Sequence, residues 1–264
     1  MDDSRARRPR RRWYQFRLLT LLLFVVLVSV GMSWFAVKMH QARRQRNAVE
    51  AIEKSGGFVM YDYEFKDDGT PIIDADPPGP AWLRETLGID FLWEVNTVVF
   101  KSDAGAEHLG WLASLEYALF CGPEVTDYAL ERLKGVTSFR RLRLLRTSIT
   151  DAGLRHVKGL TNLESLEIYY AGITDDGLKH LEGLASLQTL WLIETGVTDA
   201  GLEHLNGLAS LETLDLGSTG VTDAGLEHLK GLGNLRTVRL HGTNVTDEGV
   251  KKLQQALPNC EILH

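Results

Sequence analysis

The sequence predicts an α/β solenoid preceded by one transmembrane helix. Each stacked unit would supply a parallel strand to the concave face and a short helix to the convex face. Three observations carry this reading. A column of Asp103, Asp127, Asp151, Asp175, Asp199, Asp223 and Asp247 advances by twenty-four residues at every step, and self-similarity at such a period marks a solenoid. Within a copy, the alternation Leu214-Asp215-Leu216 gives way to a helical pair, Leu226 and Leu229; these are the signatures of a half-buried strand and a helix turn. Ahead of the copies, Leu18 to Val37 are twenty residues without a charge, enough as a helix to cross a hydrocarbon core of about 30 Å.

One copy runs Leu211-Glu-Thr-Leu214-Asp-Leu216-Gly217-Ser-Thr219-Gly220-Val221-Thr222-Asp223. Leu214 and Leu216 share one face of a strand, and Gly217 to Gly220 have turn composition. Val221 returns to the core, and Thr222-Asp223 supplies a helix N-cap whose oxygen accepts an orphan backbone N–H. Gly231 ends the helix, as Gly135, Gly159, Gly183 and Gly207 end theirs. A small column, Gly105, Ala129, Gly153, Gly177, Gly201, Gly225 and Gly249, lies in the first helical turn. Glycine there costs about 1 kcal/mol of helix propensity, so the column implies close packing between adjacent units. The opening L-x-x-L-x-L followed by V-T-D-x-G-L resembles the leucine-rich repeat. More narrowly it is similar to the T-D-x-G-L class of bacterial leucine-rich repeat proteins and of F-box-associated repeats. The resemblance covers residues 95–264, about seven repeats of 24, and implies the solenoid fold while saying little about a partner.

Residues 1–17 form a basic arm expected in the cytoplasm, with seven Arg before the apolar run. Residues 18–37 read as an uncleaved anchor flanked by Trp13, Tyr14 and Trp34 as interfacial residues. The alternative, a cleaved signal peptide, lacks a small-residue cleavage site after the run. Arginine before the span outweighs Lys38, Arg43, Arg44 and Arg46 after it, which places the repeat domain on the non-cytoplasmic side of the cell membrane, periplasmic or extracellular. Residues 38–55 read as a juxtamembrane helix with a narrow stripe of Ala48, Val49 and Ile52, stopped by Ser55-Gly56-Gly57. Residues 56–94 are expected to cap the solenoid: a strand over Phe58–Phe65, a hairpin return over Thr70–Ile73, a Pro-rich linker and a short helix over Trp82–Leu87. Residues 1–46 carry eleven Lys/Arg against two Asp, net +9, and the remainder is net −15 within an overall −6. That acidic body argues against nucleic acid as its partner.

Chemistry is sparse. The two cysteines, Cys121 and Cys260, lie about six strand spacings apart, roughly 25–30 Å, too far for a disulfide. His108, His156, His180, His204 and His228 share a column with Arg132 and Lys252, which suits cations at helix C-termini rather than a convergent metal site. No nucleophile–base pair, phosphate loop or metalloprotease motif is present. The reading is non-catalytic, with no metal and no cofactor.

The remaining signal is the set of variable positions on the strand faces. Arg141, Arg143, Leu145 and Arg146 are followed by Glu167, Tyr169 and Tyr170, then by Trp191, Ile193 and Glu194, then by Asp215 and Arg239. Strands about 4.8 Å apart would bring Arg143 beside Glu167 and Asp215 beside Arg239. Leu145, Tyr169, Tyr170, Trp191 and Ile193 would then form a contiguous exposed patch independent of the leucine core, of the kind that binds a protein. The expected function is recognition or scaffolding of a protein partner on a membrane. The alternative is an F-box-like adaptor of a ubiquitin ligase, which would need a three-helix segment where residues 38–94 are short and strand-like.

Overall fold

A computed structural model describes residues 11–64, 72, 75–136 and 138–264, with side-chain environments from residue 18 onward. Among the described residues nine strands form one sheet in chain order. Strand β1 (Phe58–Tyr61) runs antiparallel to β2 (Val95–Phe100), and all later pairings are parallel. These are β3 (Tyr117–Cys121), β4 (Arg141–Leu145), β5 (Ser165–Tyr169), β6 (Thr189–Ile193), β7 (Thr213–Asp215), β8 (Thr237–Arg239) and β9 (Glu261–Leu263). From β3 to β8 each partner stands twenty-four residues on, as in Leu166↔Leu190 and Trp191↔Asp215. The β2–β3 register, Thr97↔Tyr117, advances by twenty, so the first unit is the short one. The fold is a leucine-rich repeat solenoid with an apolar helix at its N-terminal end.

Burial follows the period-two pattern. Leu142, Leu144, Leu166, Ile168, Leu190, Leu192, Leu214 and Leu216 are buried in a single continuous core. The convex side returns through single helical turns: α4 (Asp127–Glu131), α5 (Asp151–Leu154), α6 (Asp175–Leu178) and α7 (Leu226–Leu229), with 3-10 turns between them. In several units threonine caps its own turn, as where Thr150 Oγ1 accepts from Ala152 N at 3.3 Å and Thr222 Oγ1 from Ala224 N at 3.2 Å, whereas Thr174 makes no such bond.

The aspartate that follows serves the next unit instead. Asp127 accepts from Thr150 N (2.7 Å) and Thr150 Oγ1 (2.8 Å), and Asp151 from Thr174 N (2.8 Å) and Oγ1 (2.7 Å). The same two bonds join Asp103 to Thr126, Asp175 to Thr198, Asp199 to Thr222 and Asp223 to Thr246. This explains the small column. A Cβ on Gly177, Gly201 or Gly225 would collide with the carboxylate of the preceding unit.

The solenoid's N-terminal end is closed by helix α1 (Arg11–Lys54), which is unbroken across the apolar run and the segment beyond it. It is long and apolar enough from Leu18 onward to cross a membrane, and its side chains there are exposed. Its C-terminal half buries Ala42, Gln45, Ala48, Val49 and Ile52, a one-sided helical stripe. The lid over the core therefore reaches back well before residue 56. Polar clips hold it. Asp90, buried in α3 (Ile89–Leu92), receives Arg46 Nε at 3.2 Å and the Tyr61 hydroxyl at 3.0 Å. Gln45 donates to the Trp93 carbonyl at 2.8 Å, and Lys38 pairs with Glu94 at 2.9 Å. Burial and the neighbouring Asp90 charge push the Tyr61 phenol far above its ordinary pKa. The short helix before α3 is α2 (Ala81–Leu87).

The structure shortens one expected strand. The segment from Phe58 leaves the sheet at Tyr61 and turns into a 3-10 helix over Asp62–Glu64. It pairs with β2; Thr70, Pro71 and Ile73 of the expected hairpin return lie outside the described residues, and Ile72 N donates to the Glu64 carbonyl at 2.8 Å. At the far end α8 (Asp247–Ala256) is longer than the other turns, and Gln254 Nε2 bonds the carbonyls of Leu257 (3.1 Å) and Cys260 (2.9 Å). Cys121 and Cys260 are free thiols, and the latter is buried.

Candidate functional site

Side chains that alternate with the core leucines emerge on the concave face. The middle row runs, strand by strand, Arg143, Glu167, Trp191, Asp215, Arg239. Cation and carboxylate are arranged as mirror images about the indole. Arg143 closes on Glu167 with Nη2 to Oε2 at 2.5 Å, and Arg239 Nη1 stands 3.9 Å from Asp215. Two carboxylates on adjacent strands would repel; Trp191 separates Glu167 from Asp215, and each carboxylate has its own arginine. Asp215 also accepts from Gly217 N at 3.0 Å and is only 4% exposed.

The aromatic residues are tied into the same network. Trp191 meets Tyr169 edge-to-face at 5.9 Å, and Arg239 lies 5.7 Å over the indole. Arg143 lies 5.9 Å over the Tyr169 ring, Arg146 5.1 Å over Tyr170, and Arg141 5.8 Å over Tyr117. Burial first, and the Glu167 charge second, push the Tyr169 phenol up to about 12, so it stays neutral and donates to Glu167 at 3.4 Å.

Here the structure differs from the sequence expectation in one respect. The Asp215–Arg239 pairing is as expected, but Trp191 does not stand free. Trp191 is half-buried and its Nε1 is enclosed with no hydrogen-bond partner among the described residues, and Arg239, forty-eight residues on, lies over its ring. Leu145, Tyr169, Ile193, Glu167 and Arg143 are likewise half-buried. The exposed members of the predicted set are Arg141, Arg146, Tyr170 and Glu194.

Three of those four share a feature that sequence reasoning missed. Arg146, Tyr170, Glu194 and Ser218 all adopt left-handed backbone, with φ of 52°, 53°, 52° and 56°. They occupy one station of the repeat, just after the strand. Glycine holds that station in the flanking units, Gly122 (φ 105°) and Gly242 (φ 68°). The geometry is required by the turn, since the N–H of each bonds to the next unit, as Arg146 N does to the Tyr169 carbonyl at 2.9 Å and Tyr170 N to the Ile193 carbonyl at 3.1 Å. For a residue with a Cβ the left-handed region costs of order 1–2 kcal/mol. The signal available in sequence was the pair of glycines 120 residues apart at the same phase.

Among the described residues no three His, Cys, Asp or Glu side chains converge as a metal site would need. The site offers a surface of aromatic rings, paired charges and a rim of exposed Arg, Tyr and Glu.

Comparison with known proteins agrees with this architecture. The Leucine Rich repeat family model matches residues 159–181, 207–230 and 234–253. Among solved structures the chain is similar to an internalin (inlF) of Listeria monocytogenes, with a TM-score of 0.53 and 24% identity over 64% of this chain and 47% of that one. It is also similar to an internalin C2 (inlC2) of the same organism, with 26% identity over 64% of this chain and 70% of that one, at a TM-score of 0.49. The chain thus spans about half the length of the first internalin. No curated protein matches it.

Proposed function

We propose that the chain is a non-catalytic protein-recognition module displayed on a membrane. It is anchored through residues 18–37, with its arm in the cytoplasm and its repeats on the far side. It binds a protein partner through the concave face. The observation that carries this is the strained station: four consecutive units keep Arg146, Tyr170, Glu194 and Ser218 in left-handed backbone where flanking units use glycine. A fold gains nothing from paying that cost with exposed side chains, and such strain concentrates at functional positions. The leucine-rich repeat likeness supports the same class of function, since these repeats generally bind proteins.

The charges indicate how a partner would sit. Arg143 and Arg239 are neutralised within the face, which leaves the rim sequence Arg146, Tyr170, Glu194 to be read. Two strand spacings separate its ends, roughly 10 Å. A complementary partner presents an acidic group, an apolar socket and a basic group across that span.

The test uses the full chain in lipid nanodiscs. Partners retained by the wild type are identified, and the pairing is rebuilt with purified components. Arg146→Ala with Tyr170→Ala should leave the melting temperature within a few degrees and weaken binding by about thirtyfold, the effect of losing a hot spot of about 2 kcal/mol. Glu131→Arg, exposed on the convex α4, should bind normally. The opposite pattern, with the double variant unaffected and Glu131→Arg defective, would place recognition on the convex side.

A further inference from the structure

We infer that the N-terminal end of the solenoid is a second membrane contact, a collar of aromatic and basic side chains seated in the phospholipid headgroup layer around the exit of α1. This rests on the reading that residues 18–37 span the bilayer and adds where the folded domain sits on it. The collar begins inside the apolar run itself. Phe91 of α3 packs on Phe35 with ring centroids 5.4 Å apart and edge-on to Trp34 at 6.5 Å. Trp34 and Phe35 are 60% and 39% exposed and lie in the last turn before Val37. A residue touching them is held where the hydrocarbon ends.

A second group lies just above. Trp111, 40% exposed at the end of the 3-10 helix Asp103–Trp111, and its neighbour Gly110 share a cleft with Lys38, Gln41 and Arg44. From Lys38 to Arg44 a helix rises about 9 Å. The headgroup region adds about 5–7 Å on each side of the hydrocarbon core. The lower part of this cleft therefore falls within the headgroup layer. Indole rings prefer that layer, and Arg43 and Arg44, both exposed, face lipid phosphates there as cations. The occupant is fixed by continuity. The apolar surface of the span passes without a gap into Phe91, and the clips from Asp90 to Arg46 and Glu94 to Lys38 leave no flexible stalk that could lift the domain away.

The experiment places a fluorescent reporter on single cysteines in the full chain carrying Cys121→Ser, Cys260 being buried. Gly110→Cys suits the collar, since Gly110 is exposed and a Cβ there meets open space. Leu27→Cys reports the span and Gly207→Cys the distal convex side. Each is reconstituted in phosphatidylcholine–phosphatidylglycerol vesicles with spin-labelled lipids. The Gly110 reporter should be quenched at least twofold by a headgroup-level label and weakly by aqueous iodide, with Gly207 the reverse. If Leu27 is quenched by a deep label while Gly110 behaves like Gly207, the anchor stands and the collar is wrong. If Leu27 itself is reached by iodide and not by lipid labels, the anchor fails and the collar with it. A Gly110 reporter shielded from both quenchers would mean that protein, a second copy or a partner, covers this surface, and would overturn the proposal.

Discussion

An aspartate that opens a helical turn is usually credited to that turn. Here threonine caps the turn in several units, and aspartate reaches back-to-front across the stack, accepting the N–H and hydroxyl of the next unit's threonine. The sequence makes both columns visible but not the direction of the bond, because a T-D pair fits an N-cap equally well. The glycine column was legible as a packing contact, and what it packs against was not. Gly201→Leu should destabilise by about 3 kcal/mol through overpacking, read as a lower urea midpoint, since its side chain would displace the Asp175 carboxylate and press on Leu178. Gly201→Ala should cost only about 1 kcal/mol, because Ala129 occupies the same station while Asp103 still holds Thr126 at 2.9 Å. One rung also has a pH signature. The hydroxyl and N–H of Thr246 hold the Asp223 carboxyl below its ordinary pKa. A depressed folded-state pKa gives stability that is present above the unfolded carboxylate range and lost as pH falls through the folded value. Asp223→Asn should therefore flatten the acid limb of a stability–pH curve and leave its shape near neutrality unchanged.

Among the elements, α1 departs most from what its sequence announces. Its helical character was legible from the Ala48, Val49, Ile52 stripe. Its role as the lid was not, because the surface it covers, around Phe100, Ala106 and Leu109, lies fifty or more residues further on. A chain starting at residue 56 would uncover that surface and leave buried Asp90 without Arg46 and Gln45. An uncompensated buried charge is strongly destabilising, by about 3–5 kcal/mol when one partner of an ion pair is removed. A chain of residues 38–264 should melt cooperatively by circular dichroism, whereas residues 56–264 should melt about 6–20 °C lower or aggregate, given that about 1 kcal/mol shifts a domain of this size by 2–4 °C. Equal melting of the two would show that the helix rests on the solenoid without supporting it. On the concave side the strand faces were legible by alternation. The pairing of Asp215 with Arg239 was legible too, but the cover of Trp191 by Arg239 was not, since it depends on where long side chains fold after the strands are paired.

At the scale of the molecule the repeat made nearly the whole architecture readable, because one unit understood is seven units understood and each contacts only its neighbours. The terminal regions, which do not repeat, were read less well. Charge is also arranged on this scale, with a basic end of net +9 and an acidic remainder of net −15. With the proposed topology, the full chain should sediment with membranes and resist carbonate extraction. A reporter fused after His264 should be active on the non-cytoplasmic side, as the arginine excess before the span requires. Activity of the cytoplasmic form of the reporter would reverse the topology.

The unbroken α1 has a mechanical consequence. At 44 residues it is about 66 Å long, and its outer half is clamped to the solenoid by Asp90, Glu94 and the buried stripe. With its inner half embedded as proposed, domain and anchor turn as one lever. A partner pulling sideways on the concave face would tilt the span in the bilayer instead of swinging a tethered domain. Two copies bridged by one partner would have their spans set at a fixed mutual angle, so that engagement outside is delivered to the basic arms within as a change of geometry.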